Sequence, residues 1–410
     1  MSTGIPLNEN IYWVGANDRQ TGFFEELWPI PNGISYNSFL VLDDKTALID
    51  AVKDISLDSY REKIRGLLAE RKTIDYLVIN HIEPDHSGAI KILRELFPGM
   101  QIVGNKKTLD LLGHFYGIRE NVRMVGDGDS LELGKCRLKF FLTPMVHWPE
   151  TMMTFEERHQ VLFSGDMFGG FDALDDGIFD DEIRHTAQYE EDMLRYFTNV
   201  IGKYSVMVQK ALAKIAGLDI RMLASTHGLI WRSRPRHAID LYDRWSRYEA
   251  EDGVVIVYAS MYGSTEKMME AVARSLEAEK AGALKVHNLA RVHASYILED
   301  VWRYRCVVLG SPTYNTGLFP LMDHLTRLLE NKMLRERVAG IFGSCGWSGG
   351  AMKELGDFVK RMKWELVEPV VEVKGSPGED DLKRCTLLGV SMAKRLRKGK
   401  PWGEVTGALP

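Results

Sequence analysis

Two rhythms of apolar residues predict a two-domain α/β protein. Residues 1–250 carry short apolar runs at 11–14, 36–42, 47–49, 76–79, 102–103, 122–125, 137–142, 152–155 and 161–163. Helical patterning falls at 57–69, 88–96, 106–115, 189–215 and 235–248. Strands that arrive in runs, with helices outside them, suggest two packed sheets flanked by helices. From about residue 254 the rhythm becomes strict alternation, with strands at 254–259, 284–287, 305–309, 338–342 and 365–373. Helices follow each strand in turn, at 265–279, 295–303, 319–331, 348–362 and 379–396. Five such units imply an open, doubly wound parallel sheet with helices on both faces. The polar stretch Glu249-Ala250-Glu251-Asp252-Gly253 marks the change, dividing a domain over 1–250 from one over 251–410.

Within the first domain, turn signals such as Asp43-Asp44 and Gly126-Asp127-Gly128 separate the strands. The long pattern at 189–215 reads as one helix.

Composition narrows the function. The chain has 410 residues, of which 45% are hydrophobic, enough for sizeable cores. Formal net charge is −5 with both signs interspersed, so no basic stripe marks a nucleic-acid partner. The run Lys394-Arg395-Leu396-Arg397-Lys398-Gly399-Lys400 reads as a solvated helix tail. The four cysteines, Cys136, Cys306, Cys345 and Cys385, are far apart and form no C-x-x-C pair. That spacing argues against a zinc ribbon, a rubredoxin-type iron or a disulfide framework, and fits a reducing compartment. Cys306 and Cys345 read as small buried residues of strands. The N-terminus has no basic and apolar leader, and no apolar run reaches the ~20 residues that span a bilayer. A cytoplasmic protein without membrane contact is the expectation.

His81-Ile82-Glu83-Pro84-Asp85-His86 concentrates four metal-type side chains directly after an apolar run. In extended backbone His81, Glu83 and Asp85 would share one side, with His86 turned to another. A capped turn is the alternative, since Pro84, Asp85 and Ser87 are turn residues and Ser87-Gly88 can open a helix. Three more candidates each lie just past a short apolar run: His147, Asp166 and His227. Loops at strand ends carry sites on rigid supports. Seven side chains suffice for two ions about 3.5–4 Å apart if Asp166 bridges them. Nitrogen and carboxylate ligands without thiolate suit iron, manganese or zinc, and Glu83 adds a carboxylate that favours a redox-active iron pair. Trp148 and Tyr196 are candidates to line the pocket, although helix packing is the favoured role for Tyr196.

In an open parallel sheet, ligands sit beyond the carboxyl ends of the strands. The first such loop, Ser260-Met261-Tyr262-Gly263-Ser264-Thr265, opens a helix with hydroxyls and backbone N–H groups that suit an anion. It is neither a dinucleotide fingerprint nor a P-loop, so a terminal monophosphate, as in FMN, fits best. The second loop is Ser311-Pro312-Thr313-Tyr314-Asn315-Thr316-Gly317. The third holds Ser344, Gly346, Trp347, Ser348 and Gly349. Glycines admit a planar ring and Trp347 offers a stacking face. Helix caps explain any one loop, but less readily all three.

With these motifs the chain resembles the flavodiiron proteins (A-type flavoproteins), a metallo-β-lactamase-like αββα sandwich followed by a flavodoxin-like domain. The resemblance spans essentially the whole chain, including the contexts His147-Trp148-Pro149 and His227-Gly228-Leu229-Ile230-Trp231. It implies that one iron takes His81, Glu83 and His147, that the other takes Asp85, His86 and His227, and that Asp166 bridges. It also implies FMN in the three loops, with Tyr262 replacing the family's usual threonine. Hydrolytic relatives of the sandwich usually have His where Glu83 stands. The implied activity is reduction of O2 to water, of NO to N2O, or of both. No rubredoxin-like or flavin-reductase extension is visible, so electrons would come from a separate donor: a rubredoxin, a ferredoxin or a reduced deazaflavin. The resemblance also implies a head-to-tail homodimer, or a dimer of dimers, pairing the FMN of one subunit with the irons of the other. Two other readings remain at this level. A dizinc hydrolase with an accessory flavodoxin domain would carry zinc and need no reductant; an FMN electron carrier or gas sensor would turn over little.

Overall fold

Short runs of wholly buried aliphatic residues become the strands of the first unit. A computed structural model of the chain describes residues 4–69, 73–174 and 177–399. The chain divides into two units between Ser246 and Arg247. In chain order the first unit's strands are β1 (Ile5–Pro6), β2 (Ile11–Trp13), β3 (Ala16–Asp18), β4 (Phe23–Phe24), β5 (Trp28–Pro29), β6 (Ile34–Tyr36), β7 (Phe39–Leu42), β8 (Thr46–Ile49), β9 (Tyr76–Val78), β10 (Gln101–Gly104), β11 (Val122–Met124), β12 (Ser130–Glu132), β13 (Arg137–Leu142), β14 (Met152–Glu156), β15 (Val161–Phe163), β16 (Met222–Ala224) and β17 (Ile230–Trp231). One sheet has the order β1-β2-β7-β8-β9-β10-β11, antiparallel as far as β8 and parallel beyond it. The other has the order β12-β13-β14-β15-β16-β17, with only β15 and β16 parallel. The sheets face each other. Phe39 of β7 meets Phe163 of β15 at a ring-centroid distance of 5.0 Å.

The helices of this unit are α1 (Leu57–Leu68), the single turn α2 (Pro84–Ser87), α3 (Ile90–Leu96), α4 (Lys106–Tyr116), α5 (Thr186–Tyr196), α6 (Ser205–Ile215) and α7 (Pro235–Ser246). Helix α1 buries Tyr60, Lys63, Ile64 and Leu68, a stripe at helical spacing. Helix α4 starts where the Asn105 side chain accepts from the N–H groups of Lys107 and Thr108, and stops at Gly117 in the left-handed region.

The second unit repeats strand and helix. Its strands are β18 (Glu251–Tyr258), β19 (Ala283–Asn288), β20 (Tyr304–Tyr314), β21 (Gly317–Leu318), β22 (Val338–Cys345), β23 (Glu365–Leu366) and β24 (Val371–Lys374). Between them lie α8 (Ser264–Ala278), α9 (Ala294–Arg303), α10 (Pro320–Lys332) and α11 (Ala351–Arg361), and α12 (Glu379–Arg397) closes the unit. The parallel order is β19-β18-β20-β22-β23, with β24 also on β22 and the short β21 folded back on β20. Val254, Val255, Ile256 and Val257 are all buried, as expected for a strand covered on both faces.

Four expectations need correction. The run 36–42 is two strands, because Asn37 leaves the ladder to donate from Nδ2 to the carbonyls of Ser225 (2.9 Å) and Gly228 (2.8 Å). The helix expected over 189–215 breaks after Tyr196 into a π turn (Phe197–Ile201) and a 3-10 turn (Gly202–Tyr204). There the Arg195 carbonyl accepts from Thr198 Oγ1 (3.0 Å) and Asn199 Nδ2 (2.7 Å), side-chain bonds that compete with the regular ladder. The strand expected over 365–373 is split into β23 and β24 around Pro369, which has no N–H for a ladder. Cys345 is only half-buried, at the mouth of the third loop, whereas Cys306 is fully buried.

Of the basic run, Lys400 lies outside the described residues. Arg395 and Arg397 are not merely solvated: they pair with Glu365 (2.6 Å) and Glu279 (2.6 Å). No helix among the described residues is long and apolar enough to cross a membrane.

Candidate metal centre and flavin loops

Each candidate metal-binding side chain leaves the end of a strand. His81 and Glu83 follow β9, and α2 then turns Asp85 and His86 away. His147 lies between β13 and β14, Asp166 follows β15, and His227 follows β16. The expectation that His81, Glu83 and Asp85 line one side of an extended segment is wrong. Pro84 at the first position starts a helical turn after Glu83. The turn sends the four residues out in pairs, His81 with Glu83 and Asp85 with His86.

Two groups result: His81, Glu83, His147 and Asp166 in one, Asp85, His86 and His227 in the other. In the first, Glu83 Oε2 lies 2.9 Å from His81 Nε2 and 3.2 Å from His147 Nε2. In the second, Asp85 Oδ2 lies 3.2 Å from His86 Nε2 and 3.3 Å from His227 Nε2. Asp166 touches both groups. Its Oδ2 is 3.1 Å from His147 Nε2, and its Oδ1 is 3.0 Å from His86 Nε2.

The backbone around these side chains is braced. Asp50, wholly buried, accepts from Asn80 N (2.7 Å), Asn80 Nδ2 (2.9 Å) and His81 N (3.2 Å). Burial pushes the Asp50 carboxyl up to about 6, against the pull of His86 and these N–H groups. Gly228 adopts a φ of 73°, and a Cβ there would meet the Tyr189 hydroxyl at 2.0 Å. That hydroxyl accepts from Leu229 N (2.7 Å), so only glycine lets the chain pass behind His227. Thr226 Oγ1 donates to Asp166 Oδ1.

The electrostatics call for cations. His227 Nδ1 faces the Ser35 carbonyl at 2.8 Å and must carry its proton there. Its Nε2 then aims a lone pair toward a carboxylate, an arrangement that repels unless a positive ion lies between. Asp85 Oδ1 and Oδ2, both ring nitrogens of His86, and His227 Nε2 are buried without a hydrogen-bond partner among the described residues. Close approach without hydrogen-bond alignment means that the lone pairs converge on shared points, as metal ligands do. Protons report the same field. Burial opposes protonation of His86 and His147, yet the carboxylates around them push each up to about 9. Burial likewise opposes ionisation of Glu83, but His147 and His81 pull its carboxyl down to about 2. Three carboxylates and four imidazoles in this arrangement fit two metal ions.

A third cluster, Cys136, Glu156 and His159, has the right residue types and the wrong environment. Glu156 already accepts from Arg158 N (2.9 Å), His159 N (2.8 Å) and His159 Nδ1 (3.0 Å). Burial, with Glu156 and Asp43 nearby, pushes the Cys136 thiol up to about 12. The cluster locks the turn between β14 and β15.

The three expected flavin loops lie at the carboxyl ends of β18, β20 and β22. Ser260 Oγ accepts from Gly263 N (3.1 Å) and Glu266 N (3.3 Å), curling the first loop onto α8. Gly263, at φ 87°, caps that helix. Ser264 and Thr265 begin its first turn, and Thr265 Oγ1 lies 2.9 Å from Ser344 Oγ, which ties the first loop to the third. Thr313 Oγ1 accepts from Ala351 N (3.3 Å), joining the second loop to α11. Asn315 and Thr316 turn through positive φ. Trp347 is 80% exposed and Tyr262 94%, and Met261 and Tyr314 are also exposed. Hydroxyls at a helix start and bare aromatic faces beside glycines suit a phosphorylated planar ring. Pro312, Gly346, Ser348 and Gly349 belong to the same loops.

Known proteins carry the same pair of units. Residues 34–228 match the ODP family beta lactamase model and residues 256–389 match the flavodoxin model. A nitric oxide reductase of Moorella thermoacetica is 34% identical over 404 residues, covering 97% of this chain and all of the relative. This chain belongs to the flavodiiron protein family. The family's cofactors, FMN and a pair of irons, are those that the two sites of this flavodiiron protein suit. An anaerobic nitric oxide reductase flavorubredoxin of Escherichia coli is 33% identical, covering 95% of this chain and 82% of the relative. The solved rubredoxin oxygen:oxidoreductase of Desulfovibrio gigas superposes with a TM-score of 0.92 at 30% identity, covering 97% of this chain and 99% of that one.

Sequence reasoning missed Glu150, Asp50 and the Ser35 carbonyl, which support the metal-facing residues. Glu150 had a signal, as an acid three residues after His147 beside a proline. The other two are neighbours only in space.

Proposed function

We propose that this flavodiiron protein reduces O2, NO or both, with electrons that enter at FMN from a separate protein or flavin donor. The observation that carries the reading is Asp166, which presents one carboxylate oxygen to each of two His-carboxylate groups. His81, Glu83 and His147 would hold one iron, Asp85, His86 and His227 the other, and Asp166 both. The irons and FMN, when bound, supply the electrons: four take O2 to two waters, and two take a pair of NO molecules to N2O and water.

The chain's own residues orient and insulate. The carboxylates keep the site anionic, which favours the ferric state, and their burial limits water. The Tyr196 hydroxyl is buried without a partner among the described residues. Burial and the field of Asp166 hold it protonated, which leaves a hydrogen-bond donor on a ring 5.5 Å from that of His227. On the FMN side, Ser260, Ser264, Thr265 and the first turn of α8 would receive the phosphate. Pro312, Thr313, Tyr314, Asn315, Thr316 and Trp347 would flank the ring, with Met261, Tyr262, Ser344, Gly346, Ser348 and Gly349 completing the loops.

The donor is a rubredoxin, a ferredoxin or a reduced deazaflavin, and the working assembly is a head-to-tail dimer or a dimer of dimers. Four unpaired cysteines suit the cytoplasm. The test is anaerobic reduction of the iron- and FMN-loaded protein, then rapid mixing with O2 or NO. Rapid consumption of at least one gas is expected; consumption of neither overturns the reading.

A further inference from the structure

The two halves of the metal centre differ in what stands behind their histidines. His81 Nδ1 lies 2.7 Å from Glu150 Oε1, and both side chains are wholly buried. The same oxygen accepts from Ile82 N at 3.1 Å, and the Glu150 carbonyl accepts from Asn105 Nδ2. Glu150 Oε2 is buried with no donor among the described residues, so its charge is not dispersed there. In the other half, His227 Nδ1 meets only a neutral backbone carbonyl, that of Ser35, at 2.8 Å. His86 Nδ1 is buried without a partner among the described residues.

A carboxylate that accepts the Nδ1 proton pushes electron density across the ring to Nε2. That nitrogen becomes the stronger donor and favours the higher oxidation state of a metal it binds. A neutral carbonyl does this less, and an absent partner not at all. A dry surrounding magnifies the difference.

We propose that Glu150 is a positioning residue that makes the two iron subsites unequal. Through His81 it makes the iron beside Glu83 and His147 the harder to reduce. The first electron therefore settles on the iron beside Asp85, His86 and His227. The balance is simple. Two one-electron transfers from reduced FMN take the pair from diferric to diferrous, and the Asp85 subsite is reduced before the Glu83 subsite. The inference rests on the iron-pair reading above and adds an order to it.

The test needs no gas. Iron- and FMN-loaded wild type and Glu150→Gln are titrated anaerobically with dithionite, with EPR to follow the mixed-valent pair and metal analysis to count iron. Wild type is expected to pass through a well-populated mixed-valent state. Its Mössbauer spectrum should then show one ferric and one ferrous iron in equal amounts. Glu150→Gln keeps an acceptor oxygen and the shape but removes the charge. The variant should retain both irons, show a more positive second potential with the first unchanged, and lose mixed-valent signal several-fold. A variant that titrates like wild type overturns the proposal. If the variant does not keep its iron, half-reduced wild type decides. Two equivalent irons, or joint reduction with no mixed-valent state, overturn it. Equal subsites in an enzyme that still consumes gas would sink this inference alone. Failure to bind any redox-active metal would sink the reductase reading together with it.

Discussion

Asp166 is where single atoms decide the chemistry. Each of its two oxygens serves a different group, so losing one acceptor breaks the link between them. Asp166→Asn keeps the shape and replaces an oxygen by an amide NH2, which cannot bind a cation. Iron should fall below two per chain by metal analysis, and gas consumption should drop by about 100-fold or more. Retention of both irons at full rate would contradict a bridging role. Lys63 offers a second residue-scale test, of stability rather than of redox chemistry. Its Nζ donates to the Gly15 carbonyl (2.6 Å) and lies 4.3 Å from the centre of the Trp13 ring. Burial pushes its ammonium down to about 8 from an ordinary 10.5. Between those pH values the unfolded chain holds a proton that the folded chain has released. Stability from this group therefore rises with pH across that window. Relative to Lys63→Met, wild type should gain on the order of 1–2 kcal/mol between pH 7.5 and 9.5 in denaturant titrations, a figure reduced for partial solvent contact. A constant difference would show that Lys63 stays charged when folded.

At the scale of elements, both candidate sites lie on strand-end loops, and glycines set two of those loops. Gly228 lies behind His227. Gly350, at φ 158°, sits where a Cβ would meet the Thr316 carbonyl at 1.9 Å, between the second and third flavin loops. These constraints predict a double dissociation. Gly228→Ala should lose iron and keep FMN; Gly350→Ala should lose FMN and keep iron. Metal analysis and the flavin absorbance of the purified variants read both outcomes, and joint loss in either variant would mean general misfolding instead. The break after Tyr196 is another element-scale feature. The sequence 189–215 has an unbroken helical rhythm. Bonds from Thr198 and Asn199 to the Arg195 carbonyl replace part of the ladder, and π turns of this kind often adjoin functional sites.

For the whole molecule, the cofactors have separate duties, and that separation is measurable. An FMN-free preparation that keeps both irons should lose donor-driven turnover. It should still deliver about two electrons per iron pair, enough for about half an O2 or one pair of NO molecules, when its irons are reduced chemically and mixed with gas. Unchanged donor-driven turnover without FMN would remove the flavin from the electron route. Sedimentation of the active enzyme tests the dimer, and a strictly monomeric, fully active form would exclude it.

Much of this was legible in the chain because local chemistry repeats visibly. Alternation of β and α from residue 254 onward points to a parallel sheet, since parallel neighbours need a long crossover connection, usually a helix. Metal-type side chains placed after apolar runs expose strand-end loops without any structure. What the chain could not reveal was partnership across distance. Pro84 starts a turn that splits four adjacent ligand-type residues into two pairs, and His86 and His227 meet only when β9 and β16 lie in facing sheets. Glu150 reaches His81 from 69 positions away. Local propensity sets which residues stand at the ends of strands. Which of those ends converge, and which buried charge backs which imidazole, is set by packing among segments remote in sequence, and so belongs to the tertiary structure.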